Sequence, residues 1–481
     1  MRVLCLLLSV LLSPLAWADS LVIQHVTVID ATGKPAQPGM TVVVEHDHIA
    51  AIGPSKKLKI PAGSQVIDGE GKFLIPGLWD MHVHVFSRPD GGFTWTYPLY
   101  LANGVVGVRE MWGPENANAW RAQHARYDKP SPSVYLGSPI IDGPKPVWPG
   151  SVGVADAAQG RAAVDRYKAN GADFIKVYSL LPRAAYLAIA DEARKLGIPF
   201  EGHVPDAIRV EEASDAGQKS MEHLNGVALG ASSEKDALFA ERDISTNFID
   251  DRRAGDSYRK YLRAEATYDE SKARGLFARF IKNGTWQCPT LVVNRSYAHF
   301  DDGKFMHREW LRYVPAPSQA FWKRDSEKSG KYMTVTDWAD AHREFPEELK
   351  LVGRMYRAGV GILAGTDATN PYVFWGFSLH DELALLVEAG LPPMAALQAA
   401  TINAARFMGQ AGRRGTIAVG KIADLVLLDR NPLVDIHNST SIRAVVLGGK
   451  LMSRASLDAM LAEAEAFAAK PAPSAPGPST K

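Results

Sequence analysis

The sequence is poor in cysteine, with only Cys5 and Cys288 among 481 residues. Cys5 lies in an apolar amino-terminal segment that we expect to be removed, so the mature chain would hold one thiol and no internal disulfide. Trp286 and Pro289 flank Cys288, which favours a buried structural thiol over a nucleophile.

The chain also lacks an excess of charge of either sign, since 54 lysine and arginine residues stand against 53 aspartate and glutamate residues. This balance offers no broad basic surface, so we expect no nucleic-acid partner. The 46% hydrophobic and 22% charged content is typical of a soluble globular protein. There is no tandem repeat and no phosphate-binding glycine loop.

Long apolar runs are missing beyond the amino terminus. Met1 and Arg2 precede an apolar run over residues 3–15 and then Ala16-Trp17-Ala18, which is the pattern of a secretory signal peptide. The run is shorter than the roughly 20 apolar residues of a membrane span. We expect cleavage after residue 18, a periplasmic or extracellular location and no membrane anchor; the alternative is a buried amino-terminal strand or helix.

The pattern of the chain changes twice. Residues 21–30, 40–52 and 65–75 are β-rich, and residues 415–429 and 442–452 return to that pattern, which predicts a small β unit at each end. Between them, apolar strands alternate with helices such as 155–170, 183–196 and 207–216. The predicted strands are 77–85, 105–109, 133–139, 174–178, 199–203, 219–223, 285–293 and 359–365. Eight strands with interleaved helices predict an α/β fold, a (β/α)8 TIM barrel.

These patterns predict five segments: a signal peptide (1–18), a first β part (19–76), the barrel (77–410), a second β part (411–455), and a C-terminal helix with a disordered tail (456–481). Two charged, aromatic and helix-prone insertions, 227–283 and 295–350, follow strands at the expected barrel mouth. They form either a lid over a site or a solvated surface.

Side chains that can bind metal recur where the predicted strands end. His82 and His84 lie two residues apart in an apolar strand and so project to the same side. The other strand ends carry Lys176, His203, His223 and Asp367. Because the carboxyl ends of barrel strands meet at one mouth, we expect these side chains to surround a metal site.

Lys176 is the most informative of these residues, because burying an ammonium group in an apolar strand is costly. If the amine adds CO2, the resulting carbamate carries a negative charge and two oxygens that can bridge two cations. The alternative is an ordinary ion pair with Asp367 or Glu201. Five other histidines have no convergent partner and stay unassigned: His124, His299, His307, His342 and His437.

The motifs together resemble the amidohydrolase superfamily, in its imidazolonepropionase-like and Xaa-dipeptidase-like branch. They are PGLWDMHVHV (76–85), GADFIKVY (171–178), EGHVPD (201–206), MEHLNG (221–226), AGTDA (364–368) and GKIADLVLLD (420–429). Trp79 stands where a small aliphatic residue is common, and Glu110 where aspartate is common, which leaves the shape of the pocket open.

The resemblance implies a TIM barrel with a small β-sandwich built from both chain ends. It implies that His82, His84 and Asp367 bind one divalent metal and that His203 and His223 bind a second. Carboxylated Lys176 and a hydroxide would bridge them. The metals would be zinc, with manganese or iron as alternatives, and Asp367 would transfer the proton.

We therefore expect a secreted binuclear amidohydrolase that cleaves the amide bond of a small molecule, such as a dipeptide, an N-acyl amino acid or a cyclic amide. Tyr178, Arg109 and His380 are candidate substrate-binding residues. The alternatives are a one-metal deaminase, a lactonase or esterase, and a non-catalytic binding barrel. Whether the chain forms a homo-oligomer is left open.

Overall fold

A computed structural model of the protein describes residues 20–85, 95–241, 254–306 and 308–471. The predicted signal peptide and most of the predicted tail lie outside these residues. The strands are β1 (Ser20–Val28), β2 (Gln37–Glu45), β3 (His48–Pro54), β4 (Gln65–Asp68), β5 (Phe73–Pro76), β6 (Leu78–Val83), β7 (Val105–Glu110), β8 (Ser133–Leu136), β9 (Ile141–Asp142), β10 (Val152–Gly153), β11 (Ile175–Val177), β12 (Phe200–Gly202), β13 (Ser220–Glu222), β14 (Trp286–Cys288), β15 (Leu425–Leu428), β16 (Ile442–Leu447) and β17 (Lys450–Ser453).

The helices cover the rest of the barrel region and the carboxyl end. They are α1 (Tyr97–Ala102), α2 (Ala117–His124), α3 (Ala157–Ala169), α4 (Arg183–Leu196), α5 (Val210–Asp215), α6 (Val227–Ala231), α7 (Lys235–Ala240), α8 (Ala254–Ala266), α9 (Glu270–Asn283), α10 (Leu291–Ala298), α11 (Gly303–Met306), α12 (Ala316–Tyr332), α13 (Val335–Ala358), α14 (Phe377–Glu388), α15 (Pro393–Ala399), α16 (Ile402–Phe407) and α17 (Arg454–Ala468). Short 3-10 helices span Glu309–Tyr313 and Ile436–Thr440.

Strands from both ends of the chain share one hydrogen-bonded sheet in the order β17-β16-β15-β5-β1-β2-β3, with β4 beside β1. Alternate residues along β1 and β2, such as Ile23 and Val42, pack with Leu425 and Leu427 of β15 into a separate apolar cluster. The β-rich segments predicted at the two ends therefore come together. They do so as one continuous sheet that has its own core, and the predicted domain boundaries stay predictions.

Parallel strands form the central part of the molecule, in the orders β6-β7-β8 and β10-β9-β11-β12-β13-β14. A parallel bridge between Gly137 and Phe174 joins the two sheets. On the other side, residues 362–368 bridge β14 through Gln287 and reach residue 83, which ends β6. This is an α/β fold of the TIM-barrel type, and the predicted strand 359–365 is present only as bridges of this kind.

Trp79 fits the barrel wall because the neighbouring strand offers a glycine. Trp79 pairs with Gly107 across β6 and β7, and a Cβ on Gly107 would lie 2.3 Å from the indole ring. The indole is 3% exposed, so the large side chain fills the barrel wall instead of narrowing the mouth. The other unusual residue, Glu110, accepts hydrogen bonds from the backbone of Val85 and Trp112.

The predicted strand 285–293 is wrong in its second half, because β14 ends at Cys288 and α10 begins at Leu291. Thr290 has a φ of 48°, a left-handed conformation that ends the strand. The Val292 N–H then donates to Glu382 Oε2 at 2.8 Å, which satisfies the start of the helix.

Both predicted insertions are helical where the structure describes them, and whether they form a lid stays a prediction. Among the described residues, no helix combines the length and apolar character needed to span a bilayer.

Candidate metal centre

Asp367 lies at the centre of the predicted ligand set because the backbone at the end of β6 holds it there. The Asp367 N–H donates to the His82 carbonyl at 2.8 Å, and the His84 N–H donates to the Ala368 carbonyl at 2.7 Å. Asp367 has a φ of 61°, which is unusual for a non-glycine residue. Left-handed residues of this kind cluster at functional sites.

The imidazoles converge on this carboxylate. Asp367 Oδ1 lies 2.9 Å from His84 Nε2 and 3.4 Å from His82 Nε2. Asp367 Oδ2 lies 3.7 Å from His223 Nε2. The ring centroids of His203 and His223 are 4.7 Å apart, as are those of His82 and His223. The structure thus brings together the four histidines and the aspartate singled out in the sequence.

Lys176 points into the same cluster from β11. Its side chain is fully buried, and Nζ has no hydrogen-bond partner. Burial lowers the pKa of Lys176 to about 8, although the negative charges of Glu222 and Asp367 oppose this shift. The alternative of an ordinary ion pair with Asp367 or Glu201 is wrong, because Nζ has no partner within bonding distance; Glu201 accepts a hydrogen bond from Arg109 at 2.9 Å.

Each of three histidines is oriented through Nδ1 by a neighbour outside the cluster. His82 Nδ1 donates to Glu222 Oε2 at 2.8 Å, and the other two pairs are His203 with Ser179 at 2.9 Å and His223 with Thr290 at 2.6 Å. The Thr290 hydroxyl donates to the Pro289 carbonyl, so its oxygen accepts from the imidazole. This pattern leaves Nε2 facing the centre, as in protein metal sites.

Desolvation keeps the imidazoles neutral. Burial holds the pKa of His82 and of His203 well below the usual value, and the neighbouring Lys176 adds to this effect. Burial alone would raise the pKa of Asp367, but the interactions with His223 and His84, which include a hydrogen bond with His84, outweigh it and the pKa is lowered. The cluster therefore offers neutral nitrogen lone pairs and a carboxylate, which is the donor set of divalent metal sites.

The residues present also fit a divalent metal, because buried polar atoms are left without partners there. His82 Nε2 and Lys176 Nζ are buried and accept or donate no hydrogen bond. Orphaned buried groups of this kind are costly unless something binds them. The side chains of His84 and Asp367 are 15% and 11% exposed, so the cluster also reaches solvent on one side.

Arg109 does not reach the site, which corrects its assignment as a substrate-binding residue. Its guanidinium is fully buried and donates to Glu201 at 2.9 Å, to Ser220 at 2.8 Å and to both oxygens of Glu222 at 3.0 and 2.9 Å. Its Nε donates to the Met81 carbonyl. Arg109 therefore anchors Glu222 beneath His82, and no donor is left for a substrate carboxylate.

The assignment of His380 as a substrate-binding residue is also corrected, because its side chain helps to pack α14. Its Nδ1 lies 2.8 Å from Ser439 Oγ, and its Nε2 donates to the Asn103 carbonyl at 3.1 Å. Burial lowers the pKa of His380 to about 4. This imidazole joins α14 to the 3-10 helix over residues 436–440 and leaves no nitrogen for a substrate.

Tyr178 does lie at the site. Its ring centroid is 3.9 Å from that of His203, and its hydroxyl accepts a hydrogen bond from Trp148 Nε1 at 2.8 Å. Its role in substrate binding stays a prediction.

Sequence reasoning missed the residues that orient the ligands, above all Glu222. In a strand, Glu222 and the next residue, His223, should point to opposite faces. His223 has a φ of 56° and Leu224 of 58°, so the chain turns there and both side chains reach the interior. A charged residue next to a ligand at the end of an apolar strand was the available signal.

The family follows from a direct comparison. The sequence model of the amidohydrolase family matches residues 181–452, more than half of the 481 residues, and the chain belongs to this family, as its motifs predicted. Adenine deaminase of Paracoccus denitrificans (strain Pd 1222) is 37% identical over 89 residues, which is 15% of this chain and 15% of that protein. The chain thus matches only a small part of the length of such curated relatives.

Solved structures match over nearly the whole chain. Bottromycin amidohydrolase superposes with a TM-score of 0.70 at 24% identity, over 94% of this chain and 92% of the other. A Xaa-Pro dipeptidase with methionine bound in its active site gives a TM-score of 0.63 at 20% identity, over 90% of this chain and 100% of the other. At these identities the likeness shows the fold.

Proposed function

We propose that the protein is a binuclear metal-dependent amidohydrolase that cleaves the amide bond of a small molecule. A dipeptide, an N-acyl amino acid or a cyclic amide would be the substrate. The observation that carries this proposal is the buried, unpartnered Lys176 amine among four imidazoles and one carboxylate. A lysine in that setting binds no cation as an ammonium group, whereas its carbamate, formed from the amine and CO2 with loss of one proton, would supply two oxygens that share one negative charge.

In this proposal His82, His84 and Asp367 would hold one ion, His203 and His223 would hold the other, and carboxylated Lys176 would supply oxygen ligands. Two divalent cations, zinc or alternatively manganese or iron, would lower the pKa of a bound water and polarise the substrate carbonyl.

The protein's own residues then perform the proton transfer. Asp367, which lies at the centre of the four imidazoles, would accept the proton of the attacking water and return it to the leaving nitrogen. Glu222 holds His82 in place during this exchange through the 2.8 Å bond to Nδ1. Tyr178 lies against His203 and can hold the substrate by its ring or its hydroxyl.

The test combines metal analysis with a substrate screen. Wild type and Lys176→Ala are purified and their metal content is measured, and both are assayed on libraries of dipeptides and N-acyl amino acids. We expect about two metals per chain at the barrel centre of wild type. In Lys176→Ala we expect a loss of metal and a fall in kcat/KM of more than about a hundredfold.

The matched control is Lys195→Ala, because Lys195 lies on an exposed helix face and pairs with Asp191 at 2.9 Å. Its removal should leave both readouts unchanged. Full activity and full metal content in Lys176→Ala would contradict the proposal.

A deaminase is the second candidate, since relatives named adenine deaminase match short stretches of the chain. It would release ammonia from an amino-substituted base and is expected to need about one metal per chain. Ammonia release from purines without hydrolysis of any amide would favour it. A lactonase or esterase would show instead as hydrolysis of the corresponding C–O bonds. A binding barrel would hold no metal and show no turnover.

We also propose that residues 1–18 direct export to the periplasm or the outside of the cell and are removed. Amino-terminal sequencing of the mature protein tests this, and a mature chain that begins at Met1 would contradict it.

We further propose that residues 362–368 take the place of an eighth strand and so close the barrel.

A further inference from the structure

A second group of possible metal ligands lies outside the barrel, on the helices of the second insertion. His299 follows α10, Asp301 lies in the next turn and His342 lies on α13. The His299 and His342 rings are 4.9 Å apart, and His342 Nε2 is 3.0 Å from Asp301 Oδ1. One ligand atom from each of the three residues lies within 4.8 Å of the other two. We call these residues the α10–α13 cluster.

The two histidines had no partner in the sequence, because 43 positions separate them, yet the structure brings them together. The backbone holds the turn in place: the His299 N–H donates to the Ser296 carbonyl at 3.2 Å, and the Asp302 N–H donates to the His299 carbonyl at 3.0 Å. The ligand positions are therefore set by α10 and α13 and not by a free loop.

The electrostatics around the cluster also suit a cation. The Asp301 carboxylate supplies negative charge to the cluster, and His299 is partly buried beside it. Arg295 is near enough to influence His299, but it pairs with Asp381 at 2.8 Å. The side chains of His342 and Asp301 are 40% and 33% exposed, which gives an ion an entry path and room for water ligands.

We propose that His299, Asp301 and His342 bind one divalent transition-metal ion of the zinc class, at a site separate from the centre in the barrel. Two imidazoles and one carboxylate suit zinc, cobalt, nickel or copper, whereas magnesium and calcium prefer oxygen ligands alone. Three protein ligands leave a tetrahedral position for water. The site is independent of the proposed hydrolase function, which requires none of these residues.

Such an ion would join the end of α10 to α13. The same two helices are linked further along by Asn294 Nδ2, which donates to Glu348 Oε1 at 3.0 Å. At its other end, α10 follows Thr290, whose hydroxyl oxygen accepts from His223 of the barrel centre. An ion in the α10–α13 cluster would therefore stabilise the helix that begins beside the candidate active site.

Equilibrium dialysis against buffered free zinc tests the proposal, with bound metal counted per chain. Wild type should bind one more ion than His342→Gln or Asp301→Asn at the same free zinc concentration. Loss of an outer partner alone weakens metal sites by about 10–100-fold, so loss of a ligand should weaken this one by at least about tenfold. Zinc should also raise the Tm of wild type more than that of His342→Gln.

The matched control is His437→Gln, which removes an exposed histidine that pairs with only one aspartate, Asp435, at 2.8 Å. It should bind as many ions as wild type. Lys176→Ala should keep the additional ion, so failure of the hydrolase proposal would leave this one standing. Equal metal content in wild type, His342→Gln and Asp301→Asn would overturn the proposal, as would an equal effect of zinc on their Tm.

Discussion

Replacing Glu222 with glutamine tests whether the buried network beneath the barrel centre controls metal binding. The Glu222 carboxylate accepts from His82 at 2.8 Å, from Arg109 at 2.9 and 3.0 Å, and from the Ser220 hydroxyl. Glutamine has nearly the same shape but no charge. It leaves the Arg109 guanidinium with Glu201 as its remaining carboxylate partner.

Two effects of different size should follow. Breaking a buried ion pair costs about 3–5 kcal/mol, and because glutamine keeps one acceptor oxygen we expect a loss of unfolding free energy of about 3 kcal/mol. Loss of the charge that orients His82 should weaken metal binding by about 10–100-fold. The first effect concerns the metal-free protein, and the second concerns the ion.

Denaturant unfolding of the metal-free protein measures the first effect, and dialysis against buffered metal measures the second. Glu463→Gln is the control, since Glu463 is an exposed residue that pairs with Lys129, and a surface pair of this kind contributes about 0–1 kcal/mol. If Glu222→Gln lost stability but bound metal as wild type does, Glu222 would not orient His82. If neither quantity changed, the whole account of the network would be refuted.

Three further changes follow from the same geometry. In Gly365→Ala the added Cβ would lie 2.5 Å from Cys288 Sγ, so calorimetry should show that the free energy of unfolding falls by about 2 kcal/mol. In the control, Gly275→Ala, the new Cβ on α9 meets open space, and the free energy of unfolding should rise by about 0.5–1 kcal/mol. Equal effects of the two substitutions would contradict the packing. Thr290→Val should weaken metal binding about tenfold while Thr290→Ser should not, and equal losses would assign the effect to the backbone. Burial raises the pKa of Glu382 from 4.5 to about 8, so between these pH values the folded protein binds a proton that the unfolded chain has lost. The free energy of unfolding should therefore fall as the pH rises from 4.5 to about 8. An equally steep fall in Glu382→Gln would show that Glu382 is not the titrating group.

The local sequence pattern predicted helices and strands well where residues such as proline and glycine mark their first and last positions. Helix α4 runs from Arg183 to Leu196 as predicted, because Pro182 precedes it and Gly197, with a φ of 62°, ends it. The six motif residues of the centre were predictable for a related reason. Each lies at or near the end of a predicted apolar strand, and the barrel brings those ends together.

The features of the fold and the site that the sequence did not predict depend on contacts between residues that are distant in the sequence. The assignment of Arg109 as a substrate residue was wrong because its N–H groups donate to the buried carboxylates of Glu201 and Glu222. The position of Arg109 on a strand does not reveal these two partners. His299 and His342 meet only because α10 packs on α13. The left-handed Thr290 carries a β-branched side chain in a conformation that local preferences disfavour, so pattern alone predicted a longer strand there.

The sheet that joins the two chain ends has a consequence for biosynthesis. Strand β5 pairs with β1 on one side and with β15 on the other, so a nascent chain that has made β1 to β5 still presents an open edge. That edge cannot be covered until nearly all of the polypeptide has left the ribosome. Until then, the exposed edge of the sheet can pair with strands of other chains. Folding of this sheet is therefore complete only after its carboxyl-terminal strands have been synthesised.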